Sequence, residues 1–401
     1  MIEKNKCPVC GNKSLISTVY RKYIPVMQNY VYKSKEKAMN SNKGEFSLEI
    51  CDNCGFGFNS KFDNSLLTYD EGYDNSIPSS VFHSYHLDIV NYLNQNYPIE
   101  KGFIVDIGCG KGEFLKTLCK QFPKATGLGI DPSCEIKGNI KEDEIKNVKF
   151  IQDVFKPEYI THRPSLVICR HILEHIEEPV DFLESIKQSL KLYSDTPFFF
   201  EIPDTEWIIE NEAFWDFCYE HCNYYSISSF SNLLRLSGFK VIKMKKGFGD
   251  QYLWIETCIN DDEKKKSINS ANNNNFIEKI LAYSKKEVKN ILAIKEKLSN
   301  FKTEGKIIAI WGMATKGIVL SNLIDEDLKI IDVCIDINSN KQGKFIPLLG
   351  HEIVAPERLT NFKNESLIII IMNPNYTNEI KEEVAEFSLK ANFYNASDLT
   401  H

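Results

Sequence analysis

The stretch KGFIVDIGCGKGEFLKTL, residues 101–118, decides the fold of the chain. Its apolar beginning, 103–107, predicts a buried strand. A turn follows that carries three glycines, Gly108, Gly110 and Gly112. The residues after the turn predict an amphipathic helix whose apolar face consists of Phe114, Leu115 and Leu118. A strand, a glycine turn and a helix in this order place a ligand at the carboxyl end of a parallel sheet.

The spacing of the glycines distinguishes between two classes of nucleotide-binding motif. The fingerprint of dinucleotide binding is G-x-G-x-x-G, whereas this stretch reads D-x-G-x-G-x-G with Asp106 leading. The acid-then-glycine pattern resembles motif I of the class I S-adenosylmethionine-dependent methyltransferases. The resemblance implies that the glycines let the backbone approach the methionine and the ribose of the donor.

Further strands downstream continue the predicted parallel sheet. GLGIDPS supplies Asp131, where a carboxylate can accept both ribose hydroxyls, and VKFIQDVF supplies Asp153, placed to meet the adenine amino group. SLVICRHILEHI predicts a fourth strand, and His171 is a candidate wall of the donor pocket. TPFFFEIPD predicts a fifth strand, and a capped helix and a strand hairpin follow. A terminal hairpin closing a parallel sheet is typical of this methyltransferase fold.

Two C-x-x-C pairs, CPVCG and CDNCGFGF, lie near the start of the chain. Two thiolates two residues apart can chelate one ion from a tight turn, and two such pairs complete a tetrahedral site that suits Zn²⁺. The closed shell predicts a structural metal, and a β-structured insert fills the gap between the pairs. The alternatives are a redox or iron–sulfur role, or unpaired thiols. The proposed ligands are Cys7, Cys10, Cys51 and Cys54.

Composition narrows the class of protein. The net charge of −7 over 401 residues argues against nonspecific binding to nucleic acid, which needs a basic surface. The sequence has no run of eighteen apolar residues, and MIEKNKCPVC lacks the apolar core of a signal peptide. We therefore expect a cytoplasmic protein whose twelve cysteines form no disulfide framework.

The last part of the sequence predicts another α/β unit. NDDEKKKSINSANNNN is polar and is interpreted as a linker or mobile loop, and a long helix follows. KIIAIWGMATKGIVLSNLI then predicts a strand, a glycine turn and a helix, in which Lys316 can act as counter-charge to a phosphate at the helix N-terminus. Strands and helices continue to alternate to residue 384. The predicted domains are a zinc-binding domain at 1–80, a methyltransferase domain at 81–260 and a Rossmann-like domain at 276–401.

The order of these parts resembles the NDP-sugar C-methyltransferases of deoxysugar pathways over essentially the whole chain. CYEHCNYYS, IWGMATKG, DINSNKQGKFIP and NPNYTNEI carry the resemblance. It implies S-adenosylmethionine and structural Zn²⁺ as cofactors, a nucleotide-linked sugar as the partner, and a C-terminal domain that helps hold that sugar. We expect a monomer without nucleic-acid or membrane partners. The implied substrate-binding residues are Lys316, Gly317, Lys341, Gln342 and Asn373.

Three features depart from the pattern of that family. Cys218 stands where the family motif has tyrosine, with Tyr219 next to it. The hairpin GFGDQYLWIE replaces a turn of the H-GGS-x-R type, and Trp311 and Met313 replace a tyrosine and a small residue in the last-domain turn. These differences concern the acceptor and leave the donor unaffected.

The chemistry implied by the resemblance requires a base. A sugar carbon beside a ketone becomes nucleophilic only when its proton is removed and the resulting oxyanion is stabilised. CYEHCNYYS supplies His221 as the base and Glu220 as its partner or proton relay. By the resemblance His175 also faces the substrate. The hydroxyl donors proposed for the oxyanion are Tyr73, Tyr219 and Tyr224.

Other functions fit parts of the sequence. An O-methyltransferase needs a base but no ketone, and a non-catalytic module would use the donor pocket only as a scaffold or sensor. In that case His221 is a loop histidine bonded to a backbone carbonyl. An NAD-dependent epimerase or dehydrogenase is disfavoured by the glycine spacing.

Overall fold

The computed structural model describes residues 5–68, 73–134, 146–265, 268 and 270–400. In chain order the strands are β1 (Leu15–Pro25), β2 (Lys43–Cys51), β3 (Gly57–Asn59), β4 (Phe103–Ile107), β5 (Thr126–Ile130), β6 (Val148–Ile151), β7 (Leu166–Arg170), β8 (Phe198–Pro203), β9 (Asn223–Tyr224), β10 (Phe239–Gly247), β11 (Tyr252–Ile259), β12 (Ile307–Trp311), β13 (Val333–Ile335), β14 (Ile353–Val354), β15 (Leu367–Ile371) and β16 (Ala391–Asn395). The helices are α1 (Lys35–Met39), α2 (Ser80–Asn96), α3 (Glu113–Gln121), α4 (Pro179–Ser189), α5 (Thr205–Glu210), α6 (Ile227–Leu236), α7 (Ser270–Thr303), α8 (Thr315–Ile324) and α9 (Thr377–Glu386).

The central sheet has the strand order β10-β11-β8-β7-β4-β5-β6. Its strands run parallel except β11, which is antiparallel to both β8 and β10. Helices cover both faces, so strand β8 can consist of consecutive apolar residues, and its three phenylalanines at 198–200 are fully buried. The central sheet is the class I methyltransferase fold that the sequence predicts, including the terminal hairpin.

The C-terminal sheet is a second Rossmann-like unit, with all neighbouring strands parallel in the order β14-β13-β12-β15-β16. Strand β12 lies between β13 and β15, just as β4 lies between β5 and β7 in the central sheet. Chain direction reverses across the sheet at these two strands, and ligands bind outside the carboxyl ends of strands at such points. Both switch points open onto the same cavity, which Asp106 and Trp311 both line.

The N-terminal sheet, β1-β2-β3-β9, is antiparallel and includes a strand from outside the first eighty residues. Strand β9 pairs with β3, and the backbone N–H of Asn59 donates to the carbonyl of Cys222 at 2.9 Å. One apolar core joins residues of β1, the segment 208–224 and the C-terminal unit. The N-terminal part and the rest of the chain therefore share a sheet and a core. The predicted boundary at residue 80 thus cuts through a sheet that both sides of it help to form.

The predicted linker at 260–275 contains more regular structure than a mobile loop. A 3-10 helix spans Asp261–Lys265, and α7 already begins at Ser270. Residues 266, 267 and 269 of this stretch, and 69–72 of the segment before the methyltransferase core, lie outside the described residues. Within the described part of the chain, no helix combines the length and the apolar character that crossing a bilayer requires.

Candidate active site

A cavity of about 1070 Å³ lies between the central and C-terminal sheets. The glycine loop after β4 and the turn at 311–316 after β12 both line it. Asn29 and the segment 73–79 reach it from the N-terminal side. Pockets for one small ligand commonly measure roughly 300–1,000 Å³, so this cavity lies at the upper end of that range.

The glycine loop presents bare backbone to the cavity. Gly108 has φ 74° and Gly110 has φ 55°, values in the left-handed region where glycine is favoured. A Cβ at Gly108 would lie 2.1 Å from the side chain of Ile172, whereas a Cβ at Gly110 would meet nothing within 4 Å and would project into open space. The loop is therefore a cradle that side chains would fill. Gly112 is the N-cap residue of α3 and does not line the cavity.

Two buried carboxylates border this cradle. Asp131 Oδ2 accepts a hydrogen bond from the backbone N–H of Gly110 at 2.9 Å, so the end of β5 fixes the glycine loop. Asp106 lines the cavity from β4, and burial raises its pKa to about 7. Both acids lie where the sequence places the donor.

Asp153 lines the same cavity beyond β6. Lys156 donates to its Oδ2 at 2.5 Å, and the Tyr159 hydroxyl donates to the same oxygen. The bonds from Lys156 and then Tyr159 lower the pKa of Asp153. The carboxylate can still meet an amino group of a ligand through Oδ1, which also accepts from the N–H of Val154.

A buried charge network follows β7 and was not foreseen from the sequence. Arg170 Nε donates to Glu201 Oε2 at 2.6 Å across the β7–β8 pair, and His171 Nε2 lies 3.2 Å from the same oxygen. Burial alone would raise the pKa of Glu201, but the charges of Arg170 and His171 hold it well below its ordinary value. His171 adopts φ 55° and lines the cavity, as a wall of the donor pocket would. The juxtaposition of Arg170 with a glutamate thirty-one residues later needs the strand register, which the sequence pattern does not give.

His171 makes stability depend on pH. Burial alone would lower its pKa, but the carboxylates of Glu201 and Glu174 raise it to about 9. Because the ordinary value is about 6.5, the stabilisation is complete below pH 6.5 and is lost as pH rises through 9. We expect the free energy of unfolding of the wild type to fall by about 2 kcal/mol over this window relative to His171→Asn, which tolerates the left-handed backbone. Chemical denaturation at several pH values measures the difference, and His83→Asn at an exposed site of α2 is the control. An unchanged slope in His171→Asn would contradict the assignment.

His175 and His221 meet at the cavity wall with their ring centroids 4.9 Å apart and their planes near perpendicular. His175 Nδ1 lies 2.9 Å from the backbone carbonyl oxygen of Glu220. Since a carbonyl only accepts, Nδ1 carries the proton and Nε2 of the neutral ring keeps its lone pair. Burial, reinforced by the nearby His175, lowers the pKa of His221 to about 3. His221 is therefore a neutral imidazole at pH 7, the form that can accept a proton.

Glu220 is buried beside His221 but bonds mainly to the N-terminal part. Its Oε1 accepts the backbone N–H groups of Gln28 and, at 3.0 Å, Asn29. The Tyr73 hydroxyl also hydrogen-bonds to this carboxyl group, and burial raises the pKa of Glu220. Among the described contacts, Glu220 thus orients the turn that carries Asn29 into the cavity, together with Tyr73, which lines it.

The other two tyrosines of the predicted hydroxyl set face away from the cavity. Tyr219 accepts from the N–H of Asp63 at 2.9 Å and donates to the carbonyl of Lys61 at 3.3 Å. Tyr224 donates to the carbonyl of Cys218 at 2.9 Å and accepts from its N–H. Neither residue lines the cavity, because β9 turns this part of the chain into the N-terminal sheet. This differs from the prediction and leaves Tyr73 as the member of that set at the cavity.

The predicted phosphate turn also lines the cavity. Lys316 projects from the first turn of α8 and bonds to both oxygens of Asp216 at 2.5 Å, with its ammonium 5.3 Å from the Trp207 ring. Gly317 lets this turn close, because a Cβ there would lie 2.3 Å from the carbonyl oxygen of Gly312. Asp216 already balances the charge of Lys316, so an anion would compete with this carboxylate.

The remaining predicted acceptor residues differ in their access to the cavity. Lys341 lines it while 2% exposed, with Nζ 3.4 Å from the carbonyl of Met313. Gln342 instead donates to the carbonyl of Asp336 at 3.0 Å and does not line the cavity. Asn373 exchanges two amide hydrogen bonds with Gln251, of 2.9 and 3.2 Å. Gln251 belongs to the hairpin that departs from the family pattern, so this hairpin ties the methyltransferase core to the C-terminal unit.

Asp74 connects all three parts of the chain and was missed by sequence reasoning. It accepts hydrogen bonds from Asn338 at 3.2 Å and Asn340 at 2.8 Å, and lies 3.4 Å from Lys111 of the glycine loop. Burial alone would raise its pKa, but the donors from Ser76 and Asn340 lower it to about 2. The glycine loop and the loop that carries Asn338 and Asn340 therefore contact the same carboxylate.

The four predicted metal ligands form one cluster away from the cavity. The Sγ atoms of Cys7 and Cys54 lie 3.6 Å apart, those of Cys10 and Cys51 lie 3.5 Å apart, and all four fall within 4.8 Å of one another. Zn–S bonds of about 2.3 Å give a tetrahedron with edges of about 3.8 Å, so the donor set and spacing fit Zn²⁺.

Comparison with known families assigns two parts of the chain. Residues 83–244 match the model of a methyltransferase domain. Residues 255–393 match the model of the C-methyltransferase C-terminal domain.

Individual proteins are similar over different lengths. The C-methyltransferase NovU of Streptomyces niveus is 23% identical over 71% of this chain and 69% of its own length. The malonyl-[acyl-carrier protein] O-methyltransferase of Priestia megaterium is 33% identical over only 21% of this chain and 30% of its own length.

Among solved structures, N,N-8-amino-8-demethyl-D-riboflavin dimethyltransferase from Streptomyces davawensis aligns with 15% identity and a TM-score of 0.37, covering 44% of this chain and 54% of that one. The plantazolicin methyltransferase BpumL aligns with 20% identity and a TM-score of 0.33, covering 45% and 84%. The chain therefore contains a region that matches a methyltransferase domain, whose central sheet has the strand order of the class I fold, followed by a region that matches the C-methyltransferase C-terminal domain.

Proposed function

We propose that the protein is a C-methyltransferase that acts on a nucleotide-linked keto-deoxysugar. The observation that carries the proposal is the shared cavity, which is lined by the glycine loop of one sheet, by the 311–316 turn of the other and by the His175–His221 pair. The C-terminal domain match and the similarity to NovU support methylation at carbon. The proposed partner is a nucleotide sugar, and a net charge of −7 agrees with a monomer that binds neither nucleic acid nor membrane.

The cradle after β4 fits S-adenosylmethionine. The open backbone at Gly110 leaves room for the amino-acid part of the donor, Asp131 can accept the ribose hydroxyls, and Asp153 can accept the adenine amino group. When bound, the donor supplies an electrophilic methyl group. At the separate cysteine cluster, Zn²⁺ would be held by four thiolates and would stabilise the N-terminal sheet.

The acid–base chemistry falls to His221. Its neutral imidazole takes the proton from the sugar carbon beside the ketone, and the electron pair of the broken C–H bond passes into the enolate. The Glu174 carboxylate lies close enough to raise the pKa of His221, so it stabilises the imidazolium that forms. The Tyr73 hydroxyl lies at the cavity beside the buried Glu220, and by turning its one proton from that carboxyl group to the substrate it donates to the enolate oxygen.

The C-terminal unit holds and orients the acceptor. Lys316 and Lys341 line the cavity, where a phosphate would compete with Asp216 and Asp336 for their ammonium groups, and Trp207 adds an aromatic surface. Holding the nucleotide against these residues turns the sugar towards the glycine loop, which makes methyl transfer effectively intramolecular.

Exchange of hydrogen for deuterium tests the proposal. The protein is incubated in D₂O with S-adenosylhomocysteine and a panel of dTDP-, GDP- and CDP-linked keto-deoxysugars. We expect deuterium to enter the carbon beside the ketone of one of them, and the same sugar to gain a C-methyl group with S-adenosylmethionine. Methyl transfer to a hydroxyl without exchange would show O-methylation instead. Donor binding without S-adenosylhomocysteine release for any sugar would show a non-catalytic module.

A further inference from the structure

A second group of metal-ligating side chains lies at the cavity wall, far in sequence from the cysteine cluster. Glu174 and His175 end the short 3-10 helix after β7, and His221 precedes β9. One ligand atom of each residue lies within 4.8 Å of the others, and all three residues line the cavity. Tetrahedral coordination with bonds of about 2.1 Å needs separations of about 3.4 Å, which small side-chain rotations would reach.

His175 has one ring nitrogen held by a backbone carbonyl. Its Nδ1–H donates to the backbone carbonyl of Glu220 at 2.9 Å, which fixes the tautomer and leaves Nε2 as the free lone pair. Metal-binding histidines almost always donate their other ring N–H to such a carbonyl or to a carboxylate, because this bond orients the ring and raises its basicity.

Glu174 supplies an independent observation. The residue is 2% exposed, its Oε1 lies 3.5 Å from His171 Nδ1, and its Oε2 has no hydrogen-bond partner among the described residues. A buried carboxylate oxygen without a partner is costly, and a cation in the adjoining cavity would satisfy it.

We propose that Glu174, His175 and His221 bind a divalent transition-metal ion of the Zn²⁺ or Co²⁺ class at a site distinct from the four cysteines. Two imidazoles and one carboxylate favour these ions over Mg²⁺, which prefers oxygen ligands. Three protein ligands leave positions open to the cavity, as in exchangeable rather than structural sites. The bound metal occupies the lone pair of His221, so, on the proposed function, Zn²⁺ inhibits methyl transfer reversibly.

Cobalt titration of the full, zinc-loaded chain tests the binding. We expect one Co²⁺ per chain with weak visible bands of nitrogen and oxygen coordination and without a thiolate charge-transfer band. His175→Gln and Glu174→Gln should each weaken this binding at least tenfold, whereas His83→Gln at an exposed site should not change it. His175 lies at the cavity surface, so its variant remains informative if the buried Glu174 variant fails to fold. Failure of the zinc-loaded chain to bind Co²⁺, or binding that His175→Gln leaves intact, would overturn the proposed site.

Inhibition is measured separately in the methylation assay. We expect Zn²⁺ added in excess over the cysteine site to abolish turnover, EDTA in brief exposure to restore it, and Mg²⁺ at the same concentration to have no effect. Activation by Zn²⁺ or Co²⁺ would overturn the inhibitory role. The cobalt titration needs no sugar substrate, so it tests the metal site even if no keto-sugar shows exchange. The exchange assay likewise tests the proposed function even if no Co²⁺ binds.

Discussion

Replacement of His221 by glutamine should lower kcat for methyl transfer by about a thousandfold while the donor still binds. A general base typically contributes 10²- to 10⁴-fold, and glutamine cannot accept the proton from the sugar carbon. The donor cradle belongs to a different loop, so the Kd for S-adenosylhomocysteine should change less than about twofold. Calorimetry and steady-state kinetics with the keto-sugar that shows exchange check both values.

The same variant should abolish deuterium exchange at the carbon beside the ketone. His83→Gln, at an exposed position of α2, is the matched control and should keep both activities. Deuterium exchange that survives in His221→Gln would mean that another group is the base. The next candidate is the neighbouring His175, whose Nε2 keeps a lone pair. Because burial and His175 lower the pKa of His221 to about 3, wild-type kcat/KM should not fall between pH 7 and pH 5 through this group.

Replacement of Gly110 by alanine should reduce donor affinity by about a hundredfold, or about 2.7 kcal/mol. A Cβ at this position meets no protein atom within 4 Å, so the new methyl group stands in the space that the donor needs. The backbone angle of φ 55° adds a strain of about 1 kcal/mol that the fold can carry. Calorimetric titration with S-adenosylhomocysteine and thermal unfolding measure the two effects.

Gly305→Ala separates backbone strain from the loss of the cradle. Gly305 has φ 74°, a Cβ there also meets nothing within 4 Å, and the residue does not line the cavity. Both variants should lose similar stability, and only Gly110→Ala should lose donor binding. Equal affinity for S-adenosylhomocysteine in Gly110→Ala and Gly305→Ala would show that the glycine loop does not bind the donor.

The donor side could be predicted from the sequence because it depends on local patterns. A strand, the glycines of 108–112 and a helix define the loop, and Asp131 follows the next strand of the same parallel sheet. The right-handed rule for parallel connections then brings these carboxyl ends to one edge. The four-cysteine cluster could also be predicted, because each C-x-x-C pair forms a local turn and two such pairs supply the four thiols.

The acceptor side could not be predicted to the same depth, because its orientation depends on contacts distant in sequence. Tyr219 and Tyr224 lie within five residues of His221, the proposed base, yet the pairing of β9 with β3 turns their hydroxyls to backbone groups. Glu220 meets a turn of the chain about 190 residues earlier. Glu174 lies in the stretch LEH beside a predicted residue, but its unpartnered oxygen is visible only in three dimensions.

The pairing of β9 with the N-terminal sheet has a consequence for how the protein could be divided. A shortened chain beginning at Ser80 would keep the glycine loop and could still capture donor. It would lack β3, the partner strand of Asn223 and Tyr224. The pairing that holds the segment just after His221 in place would therefore be lost. On the proposed function, we expect truncation to separate donor capture from turnover, because the first sheet holds the strand that follows His221.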